Sequence, residues 1–390
     1  MYSLIKILLL FSGLFVLPCG LTAQGMSGKS ILFDKVVIHD AFVSEGVTVG
    51  DINNDGRLDI IAGAFWFEAP TWKKHEITAP VHFEYEKGYS DAFLHFVLDV
   101  DQDGWLDIIR IDQPGQEVVW YRNPQVEGEH WEENLIYEQF GNETPMFIDI
   151  NGDGRPDLVG NDPFLEEVIW LESPAVKGQV EWKKHVISRE KGRATHMYTH
   201  GLGVMDFNQD GFPDVLVSEG WWENPRPYYT SDWKFHEAHL SDESAQMYVW
   251  DVNNNGLLDI LNSAPHSYGV WWNKQRVDTD GNRLWEPQLI DSSFSQSHAL
   301  AFADINNDGF PDLITGKRYY AHNGGDPGAN EPAVLYWYEH TPMVEPFWRR
   351  HLIDDDSGAG MHIVVEDVNR DGLMDIVTAN KKGVFLFIQK

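Results

Sequence analysis

Short apolar runs, separated by clusters of Asp, Asn, Gly and Pro, repeat along the chain from residue 33 to residue 390. One run leads into an aspartate, as Phe96-Val97-Leu98 leads into Asp99, and a second leaves another aspartate, as in Asp107-Ile108-Ile109. A third carries an aromatic residue and a partner: Trp66-Phe67, Trp120-Tyr121, Trp170-Leu171, Trp221-Trp222, Trp271-Trp272 and Trp337-Tyr338. Pro70, Pro124, Pro174 and Pro225 end the first four of these at the same offset. A fourth run begins with Trp, as in Trp72-Lys73-Lys74-His75, Trp182-Lys183-Lys184-His185, Trp233-Lys234-Phe235-His236 and Trp348-Arg349-Arg350-His351, with Trp131 and Trp285 in looser copies. Apolar runs this short, bounded by turn formers, read as strands. Four strands followed by a new aspartate-rich stretch predict one repeating four-stranded unit.

The aspartate-rich stretch has its own pattern. Asp304, Asn306 and Asp308 place side-chain oxygens at positions one, three and five, Gly309 stands at six, and Asp312 closes at nine. A hard cation such as Ca2+ takes six to eight oxygens at roughly 2.3–2.6 Å, and a glycine lets the backbone turn sharply around it. The pattern recurs at Asp51, Asn53, Asp55 and Asp59, at Asp99, Asp101, Asp103 and Asp107, and at Asp149, Asn151, Asp153 and Asp157. It returns at Asp206, Asn208, Asp210 and Asp214, at Asp251, Asn253, Asn255 and Asp259, and at Asp367, Asn369, Asp371 and Asp375. These positions are the expected ligands of several structural Ca2+ ions. Asn255 removes a charge and makes the fifth site the weakest.

Successive motifs start 45 to 63 residues apart, a spacing suited to propeller blades. The expectation is an all-β fold: a seven-bladed β-propeller of four-stranded blades, with a calcium loop between the first and second strands, forming one domain over residues 25–390. The seventh unit stops at its third strand, Val384-Phe385-Leu386-Phe387, while Phe33-Asp34-Lys35-Val36-Val37-Ile38 precedes the first motif without a unit of its own. Pairing the two closes the last blade and covers a sheet edge. The longest excursions, before His200 and from Gly316 to Pro332, are where function is expected.

Residues 1–24 read differently. Lys6, the apolar run Ile7 to Leu17 and the exit Gly20 to Gln24 predict a cleaved secretory signal. The run is short for a membrane span and no later stretch replaces it. The protein is therefore expected to be exported, to the periplasm, the cell surface or the medium. Cys19 lies within this leader, but Pro18 stands where lipid attachment needs a small residue, so a lipid anchor is the second reading. A net charge of −32 argues against a nucleic-acid partner, which needs a basic face.

The seven motifs at blade spacing resemble the FG-GAP/VCBS repeat family, calcium-stapled propellers that include integrin α-subunit heads. The resemblance spans residues 25–390 and implies the architecture; the family's functions range from adhesion to catalysis. Three further segments, Thr199-His200-Gly201-Leu202-Gly203, Ser297-His298-Ala299-Leu300 and Gly316-Lys317-Arg318-Tyr319, resemble the propeller domain of aldos-2-ulose dehydratase. That likeness implies a metal-assisted carbohydrate lyase.

The strand entering each motif is expected to line a central channel. A residue six places before the first Asp then lies about 20 Å from the loop, at ~3.3 Å per residue, near the opposite mouth. Counting back six finds Glu45, Phe93, Glu143, His200, Ala245, His298 and Met361; His95 is four back, on the same face, and His362, five back, faces the other way. His95, His200 and His298 are candidates to ligate Zn2+ or another divalent metal, or to act as general bases beside it. Glu143 and Tyr319 are candidates to assist a leaving group, and Lys317, Arg318 and Tyr319 to hold substrate oxygens. Glu45, Tyr198, Trp221 and Trp222 complete the substrate-binding candidates. His75, His185, His236 and His351 share one outer-strand position and read as structural, as do most Trp residues.

Two functions are expected from this pattern. The first is a carbon-oxygen lyase of the keto-sugar dehydratase type, with a carbohydrate or other small molecule as substrate. The second is a non-catalytic glycan- or protein-binding module.

Overall fold

Strands dominate the structure because each repeat unit pairs with itself. The structure, a computed structural model, describes residues 31–126, 128–225, 231–342 and 347–390; the leader predicted at 1–24, with Cys19, lies outside the described residues. Among the described residues the one helical element is a turn at Ala321–Gly324, and no helix is long and apolar enough to cross a membrane.

All the sheets are antiparallel. The first takes Thr48–Gly50, Asp59–Ala62, Phe65–Glu68 and Lys73–Glu76 in chain order. A seven-stranded sheet follows: Leu94–Leu98, Asp107–Ile111, Gln116–Arg122, Glu132–Ile148, Asp157–Asp162, Glu167–Glu172 and Lys183–Ser188. Its central strand serves two partners: up to Phe140 it pairs with Gln116–Arg122, and from Gly141 on it pairs with Asp157–Asp162. Three four-stranded sheets come next, led by Gly203–Met205, Met247–Trp250 and Leu300–Ala303. The last sheet holds Ile363–Glu366, Asp375–Asn380 and Gly383–Gln389, with Phe33–His39 outermost. Phe33 pairs with Gln389 and Val37 with Phe385, the pairing that the terminal strand patterns predict.

The second strand of each unit, such as Asp312–Gly316 or Asp375–Asn380, is buried along its whole length, save for the half-buried Arg110 in Asp107–Ile111. Apolar side chains of neighbouring units supply the cover: Ile60, Phe65 and Phe67 pack with Val364, Val377 and Leu386, and Ile109 and Trp120 with Leu158 and Ile169. Burying such surface stabilises the fold by about 25 cal/mol per Å2.

Each motif loop folds around its own carboxylates. In the sixth, Asp304 accepts the amides of Asp308 and Gly309, and Asp308 accepts that of Phe310. Gly309 has φ 91°, and the equivalent glycine is left-handed in all seven motifs, which is why glycine stands there. The ninth-position Asp behaves differently from the others. It is buried, and its two oxygens accept one amide from the motif and one from the end of the third strand or the residue after it: Ile305 and His340 for Asp312, Val100 and Asn123 for Asp107. The same two bonds recur at Asp59, Asp157, Asp214, Asp259 and Asp375.

A second repeated device ties the outer strands. His75, His185, His236 and His351 stack on Trp66, Trp170, Trp221 and Trp337 at 4.1–4.2 Å, and each Nε2 meets a third-strand glutamate, Glu68, Glu172, Glu223 or Glu339. One histidine thus braces two strands through a ring and a hydrogen bond.

Candidate functional site

The residues six places before each motif meet one another through the links between sheets. The amide of Glu45 donates to Ala92, that of Met361 to Glu45, that of Glu143 to Thr199 and that of Gly201 to Ala245. Each link fixes the start of one inner strand against its neighbour. Side chains at these positions are thereby brought into one buried region.

Arg318 stands at its centre, 1% exposed, where the chain leaves Asp312–Gly316. Its guanidinium donates to Glu45 Oε2 at 3.1 and 3.3 Å and to Glu143 Oε2 at 3.4 Å, and it lies over the rings of Tyr89 and Phe93. His200 Nε2 is 3.3 Å from Glu143 Oε2. Burial works against the charge of Glu143, but the His200 imidazole and the Arg318 guanidinium outweigh it and hold the carboxyl down at about 2. One ligand atom each from Glu143, His200 and His298 lies within 4.8 Å of the other two.

His298 is fully buried. Its Nδ1 donates to the Gln296 carbonyl at 3.2 Å, which leaves Nε2 as the acceptor nitrogen, buried and without a partner. His200 Nε2 likewise makes no well-aligned hydrogen bond. Burial, with Arg318 and His200 nearby, pushes the His298 imidazole well below its ordinary value, so it is neutral and keeps that lone pair.

Three more residues join from loops. His266 lies between Asp259–Ser263 and Tyr268–Val277, with its ring 5.0 Å from that of His200. His322 and Asp326 belong to the long stretch after Gly316, and the His322 ring is 5.5 Å from His298 and 4.4 Å from His266. His322 Nδ1 is 2.5 Å from Asp326 Oδ2. Tyr320, His322 and Asn323 all have left-handed backbones, φ 54°, 48° and 52°, a conformation costly for residues with a Cβ. The phenol oxygen of Tyr89 accepts the His322 amide at 2.8 Å and helps hold it. Lys381 lies 4.5 Å over the same Tyr89 ring, and burial lowers its amine to about 8.

Counting back six from each motif thus leads to Glu45, Glu143, His200 and His298, and Arg318 joins them. Other sequence candidates stand elsewhere. His95 is fully buried with neither ring nitrogen bonded, beside Gly46, Gly63, Arg110 and His362, and burial takes it down to about 3. It is four rather than six residues before its motif, and so sits deeper in the sheet. Lys317 points away from Arg318, as neighbours on an extended strand must, and its amine is tied to Ser295 Oγ and the Gly328 carbonyl. Tyr319 meets Tyr85, Tyr320 and the Lys382 amine instead of the histidines. Tyr198 is half exposed beside His196. Trp222 is 1% exposed in an inter-sheet core, and Trp221 is the stacking partner of His236, so packing accounts for both. Trp221 also lines a surface groove of about 540 Å3 with Phe207, Asn208 and Trp285, next to a motif loop.

His266, His322, Asp326, Tyr89 and Lys381 were not among the sequence candidates. For His322 and Asp326 the signal was the length of their loop; the other three lie in turns or excursions without a motif.

Fold and site together define an all-β protein of repeated antiparallel sheets with a histidine-rich cluster where the sheets meet. The model of the FG-GAP-like repeat matches residues 99–160 and 251–315, and that of the FG-GAP repeat matches residues 298–334. The matched stretches are FG-GAP repeats. No curated protein matches it. Among solved structures it is similar to an Agrocybe aegerita lectin that recognises non-reducing terminal N-acetylglucosamine (15% identity, 84% of this chain and 81% of the lectin, TM-score 0.48). It is similar also to a rhamnogalacturonan lyase of Bacillus licheniformis (10%, 93% and 74%, TM-score 0.45) and to YCF48 of Cyanidioschyzon merolae (12%, 92% and 98%, TM-score 0.47). Likeness at this level transfers neither ligand nor activity.

Proposed function

We propose that the chain is an exported, calcium-stabilised propeller of seven four-stranded blades that eliminates a C–O substituent from a keto-sugar or keto-glycoside, using a divalent metal at Glu143, His200 and His298. The blade count is supported by the double role of Glu132–Ile148, which makes the seven-stranded sheet two four-stranded units sharing one strand. Ring closure is supported by the Met361 to Glu45 bond and by the pairing of Phe33–His39 with Gly383–Gln389. The motif loops suit a hard cation by their oxygen donors. In the second loop, carboxylate oxygens of Asp99, Asp101 and Asp107 lie within 4.8 Å of one another, a repulsion that Ca2+ would relieve.

The observation that carries the catalytic reading is the meeting of two imidazoles at Glu143: His200 Nε2 lies 3.3 Å from Glu143 Oε2, and His298 Nε2 is buried without a partner. Two imidazoles and a carboxylate form a Zn2+ donor set, and the Nδ1 bond of His298 to a backbone carbonyl is the kind of outer contact that holds a ligating tautomer. When bound, the metal supplies Lewis acidity at the sugar carbonyl and so acidifies the adjacent C–H. Arg318 keeps Glu143 in place through its shared pair with Glu45. Lys381, poised near neutrality, is the base that takes the α-proton. The C–H pair becomes the C=C bond, the C–O bond at the β-carbon breaks, and the proton taken by Lys381 is returned to the departing oxygen, so that one molecule of water or alcohol is lost. Tyr85, Tyr319 and Tyr320 offer ring faces to the sugar.

The test is to load the purified protein with Ca2+ and Zn2+, supply methyl 3-keto-β-D-glucopyranoside and 2-keto analogues, and follow the enone absorbance. Turnover is expected, with His200→Ala and His298→Ala at least about 100-fold slower. Sugar binding without turnover would instead favour a glycan-binding module.

A further inference from the structure

We infer that His266, His322 and Asp326 form a second metal site beside the first, so that the cluster is a two-metal centre. The inference rests on the metal reading of Glu143, His200 and His298. One ligand atom from each of His266, His322 and Asp326 lies within 4.8 Å of the other two. Asp326 Oδ2 is 2.5 Å from His322 Nδ1 and 3.7 Å from His266 Nδ1, so both imidazoles face one carboxylate oxygen. Imidazole and carboxylate together suit Zn2+ and its neighbours in the first transition row.

The spacing of the two groups is that of a shared centre. Paired metals stand about 3.5–4 Å apart, which forces the ligand rings of one ion against those of the other. Here His200 lies 5.0 Å from His266, and His298 lies 5.5 Å from His322 and 6.1 Å from His266. Of these four imidazoles, His200 leaves a buried Nε2 without a well-aligned hydrogen bond and His298 a buried Nε2 without a partner, and buried acceptors need partners.

One residue orients both groups. The carbonyl of Gln296 accepts His298 Nδ1, and its side-chain amide donates to Asp326 Oδ2 at 3.2 Å. Gln296 is fully buried and holds a left-handed backbone, φ 64°. Outer contacts of this kind orient metal ligands, and here one residue serves both groups.

The experiment counts metal in the full chain. Protein stripped with chelator is returned to excess Ca2+, which keeps the motif loops supplied, and is titrated with Zn2+ by calorimetry, with elemental analysis after desalting. Two Zn2+ per chain are expected for the wild type, and one for His322→Gln, for Asp326→Asn and for His200→Gln, each with a near-native circular dichroism spectrum. A wild type that stops at one Zn2+, or a His322→Gln protein that still binds two, overturns the second site and leaves the first standing. A wild type that binds none overturns both. Two Zn2+ bound without keto-sugar turnover supports the centre and counts against the elimination reading alone.

Discussion

Arg318 and Glu45, 273 residues apart in the chain, form an ion pair of 3.1 Å whose side chains are 1% and 0% exposed. Glu143 shares the same guanidinium. A charge buried this deeply is tolerated only with its partner in place.

Removing the guanidinium leaves two buried carboxylates facing each other. Arg318→Ala is therefore expected to lower the unfolding free energy by about 3–5 kcal/mol, and Arg318→Lys, which cannot span both partners, by part of that. Urea unfolding at neutral pH measures both. A loss within experimental error for Arg318→Ala would show the pair to be idle.

The ninth-position aspartates act as staples, whereas the fifth-position residues, apart from the half-buried Asp103, are exposed within their loops. Asp312→Ala strips acceptors from the amides of Ile305 and His340 and is expected to cost about 2–4 kcal/mol, with or without Ca2+. Asp308→Asn is expected to matter only when Ca2+ is present. Thermal unfolding of both variants in Ca2+ and in chelator separates the roles.

Chelation itself should lower the melting temperature of the wild type, because an ion bound only by the folded state stabilises it by mass action. A single site at 100 times its Kd contributes about 2.7 kcal/mol. A melting curve that chelator does not move would remove the calcium reading of all seven motifs.

His95 makes stability pH-dependent. Its folded value, about 3, lies below the ordinary 6.5, so the unfolded chain takes up a proton that the folded chain refuses. Its contribution is fully present above about pH 6.5 and is lost as pH falls towards 3, by up to about 1.4 kcal/mol per pH unit. Relative to His95→Gln, the wild type should lose about 2 kcal/mol between pH 7 and pH 5. Equal pH slopes for the two proteins in urea unfolding would contradict this burial.

Trp222 and Tyr198 test the difference between packing and contact with solvent. Trp222→Ala opens a cavity between sheets and is expected to cost about 3–5 kcal/mol, while Tyr198→Ala, half exposed, should stay within about 0.5 kcal/mol. Denaturant midpoints decide it.

Local order determined the strands, the seven motif loops with their left-handed glycines, and the terminal pairing of Phe33 with Gln389, because each depends on residues close in sequence or on a repeated register. The same register led to Glu45, Glu143, His200 and His298, since equal offsets along equivalent strands end at equivalent depth. Tertiary structure alone decided that Arg318 rather than Lys317 turns inward, that His95 sits apart, and that His266, His322, Asp326 and Lys381 join the cluster. Those residues come from turns and from a loop with left-handed backbone, where no repeat sets direction. Their contacts form only when sheets far apart in the chain are packed together, so no local pattern could carry them.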